Sequence, residues 1–181
     1  SLELRRRGAL LERVERNIGF RTIEVRGSQL YVNGRPVKLA GACHHEFDPL
    51  TGRAATARHA EQDVLLLKEA NLNYLRTSHY PPTAELLEAA DRLGMYVEVE
   101  APFCWVGGAL DTPANLDATL TPTSAMVDYD HAHPSVIVWS LANESHFNQQ
   151  FLASARLCKE LDPTRPTTFN HDFASSPLCS A

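Results

Sequence analysis

The sequence predicts an α/β fold, namely a (β/α)8 TIM barrel of which the first five or so βα units are present, preceded by the end of a β-sandwich domain. From Leu30 onward, short apolar runs alternate with amphipathic helical segments, which is the order expected of a parallel sheet. A polar cluster follows each apolar run, as at the ligand-binding edge of parallel folds. The chain has neither the G-x-G-x-x-G nor the G-x-x-x-x-G-K-[ST] turn of nucleotide-binding open sheets, which favours a barrel.

Five strands are predicted where an apolar run leads into polar residues, at 37–42, 72–77, 95–100, 136–141 and 167–170. The polar clusters at their ends read HHEFD, SHY, EAPFCW, NESH and HDF. Because the carboxyl ends of parallel strands meet at one edge, we expect these clusters to be neighbours in space.

Helices are predicted between the strands, over 56–70, 83–93, about 123–132 and about 147–161. Thr56 and Thr83 are suited to cap the first two helices, and Gly94 can end the second in the left-handed conformation. Glycine and proline punctuate the loop 101–115, which is long enough to shape a pocket.

The N-terminal segment differs from the rest of the chain, because it is rich in arginine and glutamate and has alternating apolar positions. We predict that residues 1–24 are the terminal strand of a preceding β-sandwich domain and a linker. Residues 25–181 are then the N-terminal part of the barrel domain.

The composition is that of a soluble globular domain, since 44% of the 181 residues are hydrophobic and 22% are charged. A formal net charge of -5 leaves no broad basic field for nucleic acid or an anionic membrane. No apolar run approaches the roughly 20 residues that span a bilayer, and the N-terminus is too charged for a signal peptide. We therefore expect a neutral or small-molecule ligand, no cofactor, and a soluble protein that is either cytoplasmic or exported.

One carboxylic acid, Glu144, is placed where glycoside hydrolysis needs one. It follows the apolar strand VIVWSL, so its carboxyl should project at the barrel mouth, partly desolvated by Trp139, as suits a proton donor. Asn143 beside it can both donate to and accept from a sugar hydroxyl. Taken alone, an Asn-Glu-Ser tripeptide is more typical of the start of a helix.

Four segments stand out along the chain, namely residues 17–49, NLNYLRTSHYPP, LGMYVEVEAP and the run HPSVIVWSLANES at residues 133–145. In this order they resemble glycoside hydrolase family two, which includes β-galactosidases and β-glucuronidases. The first segment resembles that family's entry into the barrel, the next two its second and third strands, and the last its acid/base signature. Since the resemblance covers nearly the whole chain, it implies a TIM-barrel catalytic domain that acts on a carbohydrate.

The resemblance implies a role for each matching residue. Glu144 is the general acid/base, and Asn143 binds the sugar hydroxyl next to the reacting carbon. His79 and His45 match histidines that contact the substrate. The alternatives are that His45 is a solvated loop residue and that His79 only ties down a turn.

Three further residues are expected around the site. Arg76 and Glu100 lie near the ends of adjacent predicted strands, and we predict that they pair beneath the site, because an unpaired buried charge is costly. Trp105 is a candidate wall for a sugar ring, whose apolar side can stack on an aromatic face. Ordinary packing is the alternative for Trp105.

The sequence departs from the family pattern at two points. Some members bind a divalent ion through a carboxylate four residues after the one matching Glu100, and Cys104 stands there, so no metal site is predicted. A retaining enzyme needs a second carboxylate about 5 Å from the first, and the resemblance puts that nucleophile on strand seven, beyond residue 181. Glu160, which lies on the last predicted helix, has no resemblance to the nucleophile's motif.

We therefore predict a retaining exo-β-glycosidase of the β-galactosidase-like type when the full catalytic domain is present. The alternative is a catalytically incomplete fragment that only binds sugar or supports an assembly. In either case the remaining half of the barrel, β domains or an oligomer partner should cover the terminal strands, which otherwise expose unpaired backbone groups. A remoter alternative is a metal-dependent hydrolase that uses His44, His45 and Glu46.

Overall fold

A computed structural model describes residues 1–15, 17–108 and 112–170. The chain starts with an antiparallel hairpin of β1 (Leu2–Arg6) and β2 (Ala9–Val14). A three-stranded antiparallel sheet follows, formed by β3 (Ile23–Arg26), β4 (Gln29–Val32) and β5 (Arg35–Pro36). The segment assigned to a preceding β domain thus holds two paired strands, and the predicted boundary at residue 24 falls inside β3. Its membership of a β-sandwich stays a prediction.

The remainder is a parallel sheet with helices between its strands, which confirms the α/β class and the partial TIM barrel. The strands are β6 (Gly41–His44), β7 (Tyr74–Thr77), β8 (Tyr96–Glu100), β9 (Val136–Asn143) and β10 (Thr167–Asn170). They lie side by side in chain order, and every pair is parallel. The connecting helices are α1 (Ala57–Glu69), α2 (Ala84–Leu93), α3 (Leu116–Asp130) and α4 (Gln149–Leu161). A short 3-10 helix, Pro113–Asn115, precedes α3.

Thr56 and Gly94 cap their helices as predicted, whereas the Thr83 side chain makes no capping hydrogen bond to α2. The Thr56 side chain accepts a hydrogen bond from the backbone N–H of His59 at the start of α1. Gly94 ends α2 with a φ of 75°, which a glycine adopts without steric cost. Thr83 occupies the N-cap position of α2, but its hydroxyl donates to the Glu46 carboxylate at 2.6 Å, so the loop after β6 is tied to this helix.

The first barrel strand was predicted four residues too early, since the sheet begins at Gly41 and not at Val37. The backbone N–H of Val37 still bonds to Leu30 in the preceding antiparallel sheet. The Asn73 side chain then accepts from the backbone N–H of Ala40, which brings the chain beside β7. A Cβ at position 41 would lie 2.0 Å from the Tyr74 carbonyl oxygen, so this close approach requires glycine.

Two helices also begin elsewhere than predicted. Helix α3 starts at Leu116, ahead of the predicted start near 123, and continues through Pro122. The hydroxyl of Thr123 donates to the Thr119 carbonyl one turn earlier, and both side chains are buried, so the helix packs against the core on both sides of the proline. Helix α4 starts at Gln149, after Asn148 accepts a hydrogen bond from the backbone N–H of Phe151.

Alternation along the strands gives the sheet two different faces. Leu75, Val97 and Val99 are fully buried among the apolar residues that pack against the helices. Arg76 and Glu100, at the intervening positions, point to the other face and pair with one another. The barrel interior is therefore polar at the level of the strand ends. In the part of the chain that the structure describes, no helix is long and apolar enough to cross a membrane.

Candidate active site

The carboxyl end of β9 presents Glu144 to solvent. Asn143 is the last residue of the strand and is buried, whereas the Glu144 side chain is exposed. The backbone N–H of Glu144 donates to the carbonyl oxygen of Asn170, at the end of β10, at 2.7 Å. The acid predicted from the sequence therefore sits at the mouth of the partial barrel, directly beyond a fully buried strand.

The expectation that Trp139 desolvates Glu144 is wrong. Trp139 is completely buried, and its indole N–H donates to the Asp162 carboxylate at 2.9 Å, behind the sheet. Strand alternation explains the error, because the neighbouring Ser140 faces the interior and donates to Glu100, so Trp139 must face the helices.

The tryptophan that reaches Glu144 is Trp105, in the loop after β8. Its indole N–H donates to Oε2 of Glu144 at 2.6 Å, and 75% of the residue is exposed to solvent. The surrounding loop, 103–106, runs alongside residues 143–146 and pairs with them through main-chain hydrogen bonds. Trp105 was predicted near the site as a wall for a sugar ring, but its hydrogen bond to Glu144 was not predicted.

The predicted pair of Arg76 and Glu100 is present beneath Asn143. The Nε of Arg76 donates to Oε2 of Glu100 at 2.7 Å, and a terminal guanidinium nitrogen makes a second contact with the same oxygen. That nitrogen also donates to Oδ1 of Asn143 at 2.9 Å. Glu100 is fully buried, and its carboxylate also accepts from the Ser140 hydroxyl at 2.8 Å. The ion pair thus fixes the orientation of the amide beside the acid.

The two histidines belong to the same cluster. Nδ1 of His79 lies 2.6 Å from Oε1 of Glu100, so this ring is oriented by the carboxylate that also holds Arg76. The His45 ring stands edge-on to His79 with 5.4 Å between ring centroids. Desolvation by its surroundings and then the charge of His79 lower the pKa of His45, which favours a neutral imidazole. Neutral imidazole can both donate to and accept from a hydroxyl.

A second buried carboxylate, Glu98, was missed by the sequence analysis. It accepts hydrogen bonds from Thr168 at 2.8 Å and from Asn170 at 3.3 Å, and the Tyr74 hydroxyl also contacts it. Burial raises the pKa of Glu98, in part opposed by the hydrogen bonds from Thr168 and Asn170. The signal was present in the strand YVEVE, where glutamates at 98 and 100 share one face.

The three residues of the metal-dependent alternative, His44, His45 and Glu46, point in three different directions. His44 lies 2.9 Å from Asp63 on α1, Glu46 accepts from Thr83 at the N-cap of α2, and His45 faces His79. Among the described residues, no group of three or more His, Cys, Asp or Glu side chains is arranged to hold a metal ion. Cys104 instead lies next to Asn143, whose amide donates to its sulfur at 3.4 Å.

The structure therefore brings every predicted site residue into one connected group. The chain of contacts runs from Trp105 to Glu144, along the backbone to Asn143, and through Arg76 and Glu100 to the two histidines. The HDF cluster predicted after the fifth strand begins at residue 171 and lies outside the described residues.

Comparison with known proteins places this group in a family. A family model described as the TIM barrel domain of glycosyl hydrolases family 2 matches residues 23–180. The chain is 39% identical over 175 residues to a β-galactosidase of Aeromonas hydrophila, with 94% of this chain and 17% of the relative covered. It is 36% identical over 169 residues to a β-galactosidase of an Arthrobacter species, with 89% and 17% covered.

Solved structures agree with these relatives. A β-glucuronidase from Ruminococcus gnavus in complex with D-glucaro-d-lactam superposes with a TM-score of 0.84 at 32% identity, covering 97% of this chain and 31% of that one. The chain spans only 17% of the length of the two β-galactosidases. Because the family match extends through all five parallel strands and includes the end of β9, the chain belongs to glycosyl hydrolase family 2, as part of its TIM barrel domain.

Proposed function

We propose that this chain is the acid/base half of the catalytic domain of a retaining exo-β-glycosidase, of the β-galactosidase-like type. The observation that carries the proposal is the exposed carboxyl of Glu144 at the end of a buried barrel strand, beside an amide held by the Arg76–Glu100 pair. Two relatives are named β-galactosidases, which favours a β-linked hexoside as the substrate class.

In this mechanism Glu144 acts twice. It first protonates the glycosidic oxygen as the bond to the anomeric carbon breaks and a carboxylate nucleophile attacks that carbon. It then takes a proton from the water that displaces the nucleophile, which restores the enzyme and releases a sugar of retained configuration. Asn143, His79 and His45 belong to the same connected group of contacts and carry polar groups of the kind that bind hydroxyls.

The nucleophile is expected beyond residue 181. Both oxygens of Glu100 are already engaged, by Arg76, Ser140 and His79. Glu160 lies exposed on α4, away from the strand ends. The proposal therefore includes a continuation of the barrel that supplies the second carboxylate and covers the edge strand β6, where Gly41, Ala42 and Cys43 are exposed.

The experiment replaces Glu144 by glutamine in a polypeptide that completes the barrel. Glu144→Gln should lower kcat/KM for methyl β-galactoside by about 10²- to 10⁴-fold, because general acid catalysis is lost. Azide should restore cleavage of 2,4-dinitrophenyl β-galactoside and yield the β-galactosyl azide, since azide needs no base to attack. Glu160→Gln, the same change at the exposed Glu160, is the control and should leave both rates unchanged. An unaltered rate in Glu144→Gln would remove Glu144 from the mechanism.

A second candidate is that the 181 residues alone bind sugar or support an assembly without catalysis. It is favoured because Glu98 and Glu100 are both engaged by other side chains and Glu160 is remote, which leaves the second carboxylate unassigned within the described residues. Assaying the 181-residue chain beside the longer polypeptide on aryl β-galactosides separates the two. Turnover by the short form would contradict this second candidate.

A further inference from the structure

Two strained residues meet at the mouth of the barrel. Trp105 has a φ of 57° and Glu144 a φ of 42°, and both are left-handed conformations that residues other than glycine rarely adopt. Three main-chain hydrogen bonds join the segments 103–106 and 143–146. The Asn143 N–H donates to the Phe103 carbonyl, the Trp105 N–H to the Asn143 carbonyl, and the His146 N–H to the Val106 carbonyl. The Ser145 hydroxyl adds a side-chain hydrogen bond, since it accepts from the Val106 N–H at 2.9 Å. The fold therefore fixes the position of Trp105 relative to Glu144.

Packing does not explain the tryptophan at position 105. With 75% of the residue exposed, its ring buries little apolar surface, in contrast to Trp139, which is completely buried. The polar end of Trp105, however, is fully used, because its only side-chain N–H donates to Oε2 of Glu144 at 2.6 Å. The contact with the acid is what this residue contributes.

We propose that Trp105 is a positioning residue for the acid/base, an inference that rests on the function proposed above. Its N–H occupies Oε2 of Glu144, so Oε1 becomes the atom that carries the transferable proton. In the first step the proton on Oε1 passes to the glycosidic oxygen as that oxygen leaves the anomeric carbon. In the second step Oε1 takes a proton from water as the water oxygen bonds to the anomeric carbon and the bond between that carbon and the carboxylate nucleophile breaks.

This role differs in a measurable way from that of a sugar wall. A ring that only stacks on the sugar stabilises the bound substrate, and its loss raises KM for every substrate. A donor that orients the acid matters most when the leaving group needs a proton, and its loss lowers kcat for substrates with basic leaving groups.

The test compares Trp105→Phe with replacement of Trp105 by 3-benzothienylalanine, which keeps the shape of the indole but lacks the N–H. Both variants should lower kcat for methyl β-galactoside by about tenfold to a hundredfold, the range expected for losing a hydrogen bond to a charged group. Both should change kcat/KM for 2,4-dinitrophenyl β-galactoside by less than about threefold, because kcat/KM reports the first step and a good leaving group needs little protonation there. Tyr129→Phe, at another exposed aromatic residue on α3, is the control and should leave both rates unchanged.

Two outcomes would overturn the inference. One is full activity in the benzothienyl variant with a loss only in Trp105→Phe, because the ring and not the N–H would then be responsible. The other is a rise in KM that lowers kcat/KM equally for both substrates. Equal urea unfolding midpoints in all variants would show that the fold is intact, as the exposure of Trp105 predicts. Failure of the proposed function would appear separately, as unchanged turnover in Glu144→Gln.

Discussion

The two ends of the parallel sheet each hold a buried arginine–carboxylate pair, yet the pairs are built differently. At the carboxyl end, Arg76 joins Glu100 and reaches Asn143, and its side chain is 13% exposed. At the amino end, Arg165 joins Asp162 and is only 2% exposed. We call Arg76–Glu100, which is partly exposed toward the barrel mouth, the open pair, and Arg165–Asp162, which is buried, the closed pair.

The partners of the two arginines show what each end does. Arg165 donates to three main-chain carbonyls, those of His131, His133 and Val136, and stacks over the Trp139 ring. It therefore joins the end of α3 to the starts of β9 and β10. Arg76 binds side chains that face the candidate site. The same type of ion pair thus joins main-chain segments at one end and orients side chains of the candidate site at the other.

The largest effect on stability is expected from breaking the closed pair. Asp162→Ala would leave the buried Arg165 without its ion-pair partner and would also remove the acceptor of the Trp139 N–H. We expect the free energy of unfolding to fall by about 3–5 kcal/mol, measured by equilibrium urea denaturation. A change no larger than that of a surface substitution would show that this end of the sheet does not hold the fold together.

The same carboxylate makes the closed end sensitive to acid. Burial acts to raise the pKa of Asp162, but hydrogen bonds from Thr164 and Arg165 outweigh it and lower that pKa to about 2. A carboxyl with a lowered pKa in the folded state stabilises the protein above its unfolded pKa, and this contribution is lost as the pH falls from about 4 to about 2. The free energies of unfolding of wild type and Asp162→Ala, measured by urea denaturation, should therefore approach each other as the pH falls through that range.

A smaller effect of opposite sign is expected at the neighbouring Asp130. Burial raises the pKa of Asp130 to about 6, and among the described residues its Oδ2 has no hydrogen-bond partner. The folded protein then binds this proton more tightly than the unfolded chain, so the contribution of Asp130 to stability falls as the pH rises from about 4 to about 6. The free energy of unfolding of Asp130→Asn, relative to that of wild type, should rise by up to about 3 kcal/mol between pH 4 and pH 7.5 in urea denaturation. A pH-independent difference between the two would show that Asp130 is ionised normally.

Much of the carboxyl end was predictable from the sequence, because it follows from strand order. Once Arg76, Glu100 and Glu144 are placed at the ends of parallel strands, they must gather at one edge. The Arg76–Glu100 pair follows in addition from the cost of leaving a buried charge alone.

What the sequence did not reveal depends on side-chain direction and loop conformation. Trp139 was assigned to Glu144 by proximity in sequence, whereas strand parity turns it toward Asp162. Trp105 reaches Glu144 only because two residues adopt positive φ angles that local sequence does not favour. The ion pair at the amino end was also missed, since Arg165 and Asp162 lie in the connection between α4 and β10, for which no role was predicted.

The sharpest test of the comparison is a substitution that keeps the charge at the open end. Arg76→Lys can still pair with Glu100, but a single ammonium does not reproduce the planar fork that also holds Asn143. We expect a stability loss of only about 1 kcal/mol, the cost of one hydrogen bond, and a fall in kcat/KM for methyl β-galactoside of about tenfold. Arg92→Lys, in the exposed pair with Glu61, is the matched control and should alter neither quantity. If Arg76→Lys lost stability as Asp162→Ala does while retaining its kinetics, the open pair would be a structural element like the closed one.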